Sequence, residues 1–201
     1  MSNGVTITFE ANKTQLADIT ARLNEIAGGK ARIYIARALN KTATSARVKL
    51  AQKAQESYTV KSGGFKKDMQ IKRASAGTLV ATIESHGDTL HVNKFKWSSN
   101  GGSHGVKIDV VRSGLKEMYL NGNKAFVVKQ LRKSRARGGK GGYANLVFAR
   151  PGRSRLPIYI MKSKSVPYML GSENRVYGHL QPQIQSDLAK YINQQIKALL
   201  G

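Results

Sequence analysis

The stretch "KARIYIARALNKTATSARVKLAQKAQESY", residues 30–58, has the clearest periodicity in the chain. Its alanine and aliphatic residues recur every three to four positions, and neither glycine nor proline interrupts it. This spacing predicts one continuous amphipathic helix, about 40 Å long at about 1.5 Å per residue. The predicted buried face consists of Ile35, Leu39, Ala43, Ala46, Leu50 and Ala54. The opposite face is predicted to be solvated and carries Arg37, Lys41, Lys49 and Lys53.

Two elements are predicted before this helix. Val5, Ile7 and Phe9 alternate with polar residues, a pattern typical of a β-strand. The spacing then becomes helical, between a capping-box pattern that begins at Asn12 and a glycine pair at 28–29. We therefore expect a strand and a first helix. The apolar residues of that predicted helix are Leu16, Ile19, Leu23 and Ile26.

Strand patterns follow the long helix. The stretch "DMQIKRASAGTLVATIES", residues 68–85, has two alternating runs around Ser-Ala-Gly and predicts a β-hairpin. Further strands are predicted near 90–95 and over 106–111, separated by a glycine- and serine-rich loop over 98–105.

A second hairpin is predicted from "KAFVVKQ", residues 124–130, and "ANLVFARPG", residues 144–152. Its long connection would be a protruding basic arm. The chain ends in "LQPQIQSDLAKYINQQIKALLG", residues 180–201, where Pro182 is expected near the first turn of a terminal helix. The apolar residues on one face of that helix are Ile184, Leu188, Tyr191, Ile192, Ile196 and Leu199.

This order of helices, strands and a final helix predicts an α+β fold. We expect a largely antiparallel sheet with the long N-terminal helix and the C-terminal helix packed on it, and one long basic hairpin arm. A length of 201 residues suits a single domain over 1–201, with an extended basic loop around 129–144.

Charge is the chain's strongest compositional feature. Thirty-four lysines and arginines against eleven acidic residues give a net charge of +23, and no acidic residue occurs between Glu117 and Glu173. The hairpin connection contains "QLRKSRARGGKGGY", residues 130–143. Its basic residues suit the neutralisation of phosphates. Base readout is not indicated, because Tyr143 and Trp97 are isolated aromatic residues rather than an array on which bases could stack. A solvated loop is the alternative. The predicted DNA- or partner-binding residues, here called the basic tip, are Lys129, Arg132, Lys133, Arg135, Arg137 and Lys140.

Catalytic and metal sites are not indicated. The chain has no cysteine, and its four histidines lack metal-ligand spacing. The acidic residues are scattered, so a hydrolase would need folding to bring Asp88 and Asp109 together. We expect no enzyme activity, no cofactor and no metal. The short apolar runs and the absence of a signal-peptide pattern predict an intracellular product without a membrane partner.

Several patterns occur in an order similar to one family of phage proteins. They are "IARALNKTATSARVKLAQ" at 35–52, "AFVV" at 125–128, Val147-Phe148-x-Arg150, Gly152 with Arg155-x-Pro157-Ile158, and Ser165-Val166-Pro167-x-Met169-Leu170. Together with the helical ending they span about 30–200, and they resemble the minor tail protein Z family of tailed bacteriophages, also called tail-completion proteins.

The resemblance implies a structural virion protein at the head-proximal end of the tail, a tail-completion or neck ring that helps the tail join a filled head. The implied partners are further copies in a ring, with a hexamer favoured, tail terminator or tube proteins, head-completion or connector proteins, and phage DNA bound without sequence specificity. The implied location is the tail or neck of the virion, after assembly in the host cytoplasm.

One short apolar stretch is a candidate subunit contact, because it stands before the polar "GSENR" at 171–175. A packing turn is the alternative interpretation. The residues concerned are Val166, Pro167, Tyr168, Met169 and Leu170.

A second hypothesis explains the charge without a virion. The chain would be a free, non-specific nucleic-acid-binding protein of ribosomal or nucleoid type. Imaging separates the two hypotheses, because rings or tube-end caps indicate the first, and a DNA-binding monomer with steep salt dependence indicates the second.

Overall fold

A computed structural model describes residues 3–9, 30–60, 65–99, 105–127 and 146–200. The first predicted helix and the basic tip lie outside these described residues. The chain divides into two compact units. The first comprises residues 1–54, 65–88 and 166–201, and the second comprises 55–64 and 89–165. This division does not test whether the units fold separately, so the single domain stays a prediction.

Three α-helices occur in the described residues, and the longest confirms the helix predicted from periodicity. A 3₁₀ turn over Phe65–Asp68 follows it. Alanine and leucine side chains of the long helix are buried at the predicted positions, among them Leu39, Ala43 and Leu50 at 0% exposure. The helices are α1 over Ala31–Ser57, α2 over Val166–Leu170 and α3 over Tyr177–Leu200.

The start of α3 differs from the prediction. The helix begins at Tyr177, so Pro182 lies inside it rather than near its first turn. The N–H groups of Val176 and Tyr177 both donate to the carbonyl oxygen of Ser172 at 2.9 Å, which adds a turn before the predicted start. Gly178 follows, where a Cβ would approach the backbone of Glu173 within 3.0 Å and force it to move.

The first unit contains a three-stranded antiparallel sheet in the order β1–β3–β2. Ile83 on the central strand is paired with Ile7 on one side and Ile71 on the other, so the apolar residues of all three strands share a face. This confirms the first predicted strand and the hairpin. The strands are β1 over Asn3–Phe9, β2 over Met69–Lys72 and β3 over Ala81–Gly87.

The turn of this hairpin is attached to α1 by two side chains. Asn40 donates to the carbonyl oxygen of Ala74 at 2.9 Å and accepts from its N–H at 2.8 Å. Arg32 Nε donates to the carbonyl oxygen of Ala76 at 2.6 Å. Backbone N–H and C=O groups in a turn have no partner in the sheet, and these side chains supply their hydrogen bonds.

Helices α1 and α3 pack against each other. Ala38 lies against Ile192, with further apolar side chains of α3 around them. Lys49 Nζ lies 2.6 Å from Asp187 Oδ2, and Lys41 Nζ lies 4.6 Å above the ring of Tyr191. The predicted solvated face of α1 is therefore wrong for Lys49, which is half-buried against α3, whereas Lys41 stays exposed although it contacts Tyr191.

The second unit is built from short antiparallel strands in four small sheets. The strand predicted near 90–95 is interrupted, because a 3₁₀ turn over Val92–Lys94 separates β4 from β5. The sheets are β13–β4, β5–β6–β7, β8–β9 and β10–β11–β12. The strands are β4 Thr89–His91, β5 Lys96–Ser99, β6 Val106–Asp109, β7 Lys116–Glu117, β8 Tyr119–Leu120, β9 Asn123–Lys124, β10 Phe126–Val127, β11 Val147–Ala149, β12 Tyr159–Ile160 and β13 Lys162–Ser165.

The α+β class is confirmed, with helices and exclusively antiparallel strand pairs among the described residues. The strands are divided among five small sheets rather than joined in one. Two non-glycine residues with positive φ lie in turns between paired strands, Arg112 with φ 51° between β6 and β7 and Asn121 with φ 49° between β8 and β9. Such residues turn the chain sharply and end a strand.

Candidate cationic interface

The basic tip lies outside the described residues, and the two strands that flank it, β10 and β11, are described. They pair antiparallel with Phe126 opposite Phe148 and Val127 opposite Val147. The predicted pairing of these two strands is therefore confirmed, whereas the basic arm between them lies outside the described residues and stays a prediction.

The two faces of this hairpin base have different roles. Val127, Val147 and Ala149 are buried on one face. On the other face the rings of Phe126 and Phe148 stack with centroids 6.3 Å apart. Arg150 follows Phe148 by two residues, so it shares that face, and its guanidinium lies 4.5 Å above the ring of Phe126. The arginine next to the hairpin base is therefore held in place.

Residues 150–158, which connect β11 to β12, form what we call the arginine loop. Asn123 donates to the carbonyl oxygen of Arg150 at 3.2 Å, and Asn121 donates to that of Pro151 at 3.3 Å. Within the loop, Arg150 Nε donates to the carbonyl oxygen of Arg155 at 3.2 Å. Three side-chain bonds to backbone oxygens thus restrain a loop whose arginines 153 and 155 are exposed.

Most of the chain's charge belongs to this unit. Residues 55–64 and 89–165 contain 18 basic and three acidic residues, a net charge of +15 out of +23. On β13 both Lys162 and Lys164 are exposed. Among the described residues, neither Arg153 nor Arg155 forms an ion pair with an acidic side chain. This arrangement attracts anions.

Two acidic residues of the unit are held by local contacts. Asp109 is buried, and its carboxylate accepts the N–H of Ser113 at 3.0 Å. Glu117 accepts a hydrogen bond from the Tyr119 hydroxyl and lies 3.7 Å from Lys124 Nζ. The tyrosine hydrogen bond and then the charge of Lys124 lower the pKa of Glu117. Glu117 therefore stays ionised at neutral pH and offsets one neighbouring lysine.

The candidate subunit contact falls on α2, in the first unit. Val166, Pro167, Met169 and Leu170 are buried within their own chain, whereas Tyr168 is 54% exposed. Tyr168 also lines an open cleft with Val5, Gly171 and Glu173. The subunit contact stays a prediction. Tyr168 is its best candidate residue, because the other four side chains are buried within their own chain.

A family match agrees with the predicted resemblance. The family described as prophage minor tail protein Z (GPZ) matches residues 16–201, nearly the whole chain. The chain belongs to this family. It is therefore a structural minor tail protein of a phage virion. No curated protein and no solved structure matches the chain.

The asparagines that hold the arginine loop of this minor tail protein were not identified from sequence. Asn121 and Gly122 form the turn of the β8–β9 hairpin with φ of 49° and 79°. An Asn-Gly pair between short strands is a strong signal for such a turn. That signal predicts the turn. It does not predict that the side chains of Asn121 and Asn123 donate hydrogen bonds to the arginine loop.

Some of the histidines considered as metal ligands have local contacts in the minor tail protein. No three His, Asp or Glu side chains form a potential metal site within the described ranges. His86 lies 3.8 Å from Glu84 on an exposed part of the sheet, and His179 contacts the carbonyl oxygen of Asn174 at 3.0 Å. Within the same ranges, no helix is long and apolar enough to span a bilayer.

Proposed function

We propose that this minor tail protein is a tail-completion or neck ring component at the head-proximal end of the tail, where it helps the tail join the head. Its cationic surface meets DNA or neighbouring rings. The observation that carries the proposal is the concentration of +15 on residues 55–64 and 89–165 of a chain that belongs to a phage tail family.

The charge argues for an anionic neighbour. A ring of six copies multiplies the +23 of one chain sixfold, and such a ring repels itself strongly at low salt. Duplex DNA in the lumen or acidic surfaces of adjoining rings supply the counter-charge. Contacts of this kind follow phosphate or carboxylate spacing rather than base sequence, so DNA binding is expected to be non-specific.

Within the described part of the chain, several lysines of the first unit have partners within that unit, unlike the exposed arginines of the arginine loop. Lys49 is paired with Asp187, Lys72 lies 2.6 Å from Glu84, and Lys41 contacts α3. Several charges of that unit thus serve its own packing. The arginine loop and the basic tip are the stronger candidates for binding an external anion.

Replacing four residues of the basic tip, Arg132, Lys133, Arg135 and Arg137, with serine tests the proposal. Tails assembled with this variant are expected to join heads poorly or to lose packaged DNA, as counted by electron microscopy of particles and by plaque yield. The matched control removes the same charge from exposed positions of the first unit, Lys66, Lys67, Lys190 and Lys197. Normal head joining by the tip variant contradicts the proposed role of the tip.

The alternative function, a free nucleic-acid-binding protein acting outside a virion, predicts a different particle. Negative-stain images of the purified protein and immunogold labelling of virions distinguish the two. Rings and a label at the head-proximal tail end favour the neck component. An unlabelled virion together with tight, salt-sensitive DNA binding by a monomer favours the alternative.

A further inference from the structure

Two large apolar side chains are exposed beside the arginines of the second unit. Leu156 is 69% exposed and Tyr159 is 53% exposed. Single exposed apolar residues are ordinary on protein surfaces. These two lie three positions apart with Arg153 and Arg155 in the same segment, and all four side chains are exposed. We call them the apolar-arginine face.

This face is held in place before any partner binds. Tyr159 is paired with Ala149 in the β11–β12 ladder, which fixes one end of the segment. The bonds from Asn121, Asn123 and Arg150 to backbone oxygens fix the other end. Ordering a loop costs conformational entropy on binding, so a loop that is already restrained binds a partner with a smaller loss.

The chemistry of the face distinguishes its partner from DNA. A phosphate backbone satisfies arginines but offers no pocket for a leucine, whose exposed surface is removed from water only by apolar groups. Tyrosine and arginine together are typical of the energetically important residues in protein interfaces. At this cationic face a second copy of this chain is a poor partner, because a chain with a net charge of +23 offers few carboxylates to Arg153 and Arg155.

We propose that the apolar-arginine face docks an acidic protein surface that contains an apolar pocket, on a virion component other than this chain. Leu156 and Tyr159 enter the pocket, and Arg153 and Arg155 pair with carboxylates at its rim. This inference rests on the proposed function, since the adjoining ring of the tail supplies the partner. It separates the two cationic segments, with the protein contact at the arginine loop and DNA left to the basic tip.

The test uses purified full-length chain and DNase-treated tails assembled without it, with binding measured by co-sedimentation. The double variant Leu156→Ser/Tyr159→Ser is expected to bind these tails at least about tenfold more weakly than wild type. The variant Arg153→Ser/Arg155→Ser is expected to bind weakly and with less salt dependence. The matched control is Ile33→Ser/Leu115→Ser, which removes two other exposed apolar side chains, at 44% and 40% exposure. This control variant is expected to bind the tails with wild-type affinity.

The same proteins are then titrated with a short duplex DNA, with fluorescence anisotropy as the readout. The Leu156→Ser/Tyr159→Ser variant is expected to keep the wild-type affinity for duplex. A parallel loss of DNA and tail binding overturns the inference and assigns the face to DNA. Wild-type tail binding by that variant overturns the inference and leaves the proposed function standing.

Failure of the wild-type chain to bind tails overturns both the inference and the proposed function. Thermal unfolding checks that each variant is folded. Should the double variant not fold, Leu156→Ser alone is tested. It is also expected to bind tails more weakly and to keep its affinity for duplex, because Leu156 is the more exposed of the two residues.

Discussion

At the scale of single residues, Thr59 shows how one hydroxyl can connect several strands. Its Oγ1 donates to the carbonyl oxygen of Asp109 and accepts the N–H of Lys96 at 3.1 Å. Its own N–H donates to the carbonyl oxygen of Val110 at 3.1 Å. The side chain is buried, so both partners depend on it. The segment after α1 is thereby attached to β5 and β6.

Replacing Thr59 with valine keeps the shape and removes the hydroxyl. The unfolding free energy is expected to fall by about 1–3 kcal/mol, because the carbonyl of Asp109 and the N–H of Lys96 lose a buried partner. Chemical denaturation measures the change. Thr44→Val is the control, since its hydroxyl bonds Asn40 on an exposed helix face, and a change within about 0.5 kcal/mol is expected. Equal effects of the two substitutions contradict this account.

Glu84 is expected to make the unfolding free energy depend on pH. Lys72 donates a hydrogen bond to its carboxylate, which lowers the pKa below its ordinary value of 4.5, although partial desolvation opposes the shift. A folded-state pKa below the unfolded value gives stability that is present above about pH 4.5 and is lost as the pH falls through the folded value. Glu84→Gln should therefore show a shallower loss of unfolding free energy in acid than wild type, measured by urea denaturation at stepped pH. Identical slopes show that the ion pair does not contribute.

At the scale of elements, α1 is organised by small residues. Ala38, Ala43 and Ala46 have almost no exposed surface, which lets neighbouring backbone approach closely. Leu39 is fully buried in the same stripe. Packing along this stripe thus acts together with the polar contacts of Arg32, Asn40 and Lys49 in positioning the helix.

A charge in this stripe should prevent folding. Leu39→Asp buries a carboxylate without a partner, at a cost of several kcal/mol, which is a large fraction of the stability of an ordinary domain. We expect insoluble protein or the loss of a cooperative unfolding transition by circular dichroism. Ile33→Asp on the 44%-exposed side of the same helix is the control and should fold normally. A folded Leu39→Asp protein is incompatible with this packing.

The β8–β9 turn requires a glycine at position 122 because of its positive φ and not because of close neighbours. Gly122 has φ 79° and open space around it, so a methyl group there meets strain but no clash. Gly122→Ala should lower the unfolding free energy by about 1–2 kcal/mol. Gly152→Ala, where space is also open and φ is not positive, should leave stability nearly unchanged. Differential scanning calorimetry of the two variants compares them, and equal melting temperatures argue against the strained turn.

At the scale of the whole molecule, the two units differ in charge more than in size. Residues 1–54, 65–88 and 166–201 carry 16 basic and eight acidic residues, a net charge of +8, against +15 for the remainder. Long-range attraction of a polyanion therefore acts mainly on the second unit.

Salt dependence of DNA binding should report this asymmetry. The logarithm of the affinity for a short duplex is expected to fall linearly with the logarithm of salt concentration, by about 0.9 units per phosphate contacted. Serine at Arg132, Lys133, Arg135 and Arg137 should reduce that slope, whereas serine at Lys66, Lys67, Lys190 and Lys197 should change it less. Anisotropy titrations at several salt concentrations measure the slopes. Equal reductions would assign DNA binding to net charge alone.

Local patterns predicted much of the secondary structure. The 3.6-residue spacing of α1, the turn between β2 and β3, and the pairing of β10 with β11 all depend on residues close in sequence. The interruption at Val92–Lys94 and the early start of α3 were missed, because backbone bonds such as those to Ser172 leave no periodicity to detect.

The sequence by itself determined the α+β class, the order of most elements, the family and the placement of positive charge, because periodicity and charge are local or additive properties. Only the tertiary structure decided which polar side chains hold which loops. Asn121 and Asn123 reach backbone oxygens 30 and 27 residues further on, and Asn40 reaches Ala74 across 34. Such partners meet through the way strands and helices pack, and that packing also decided that Leu156 and Tyr159 are exposed beside the arginines.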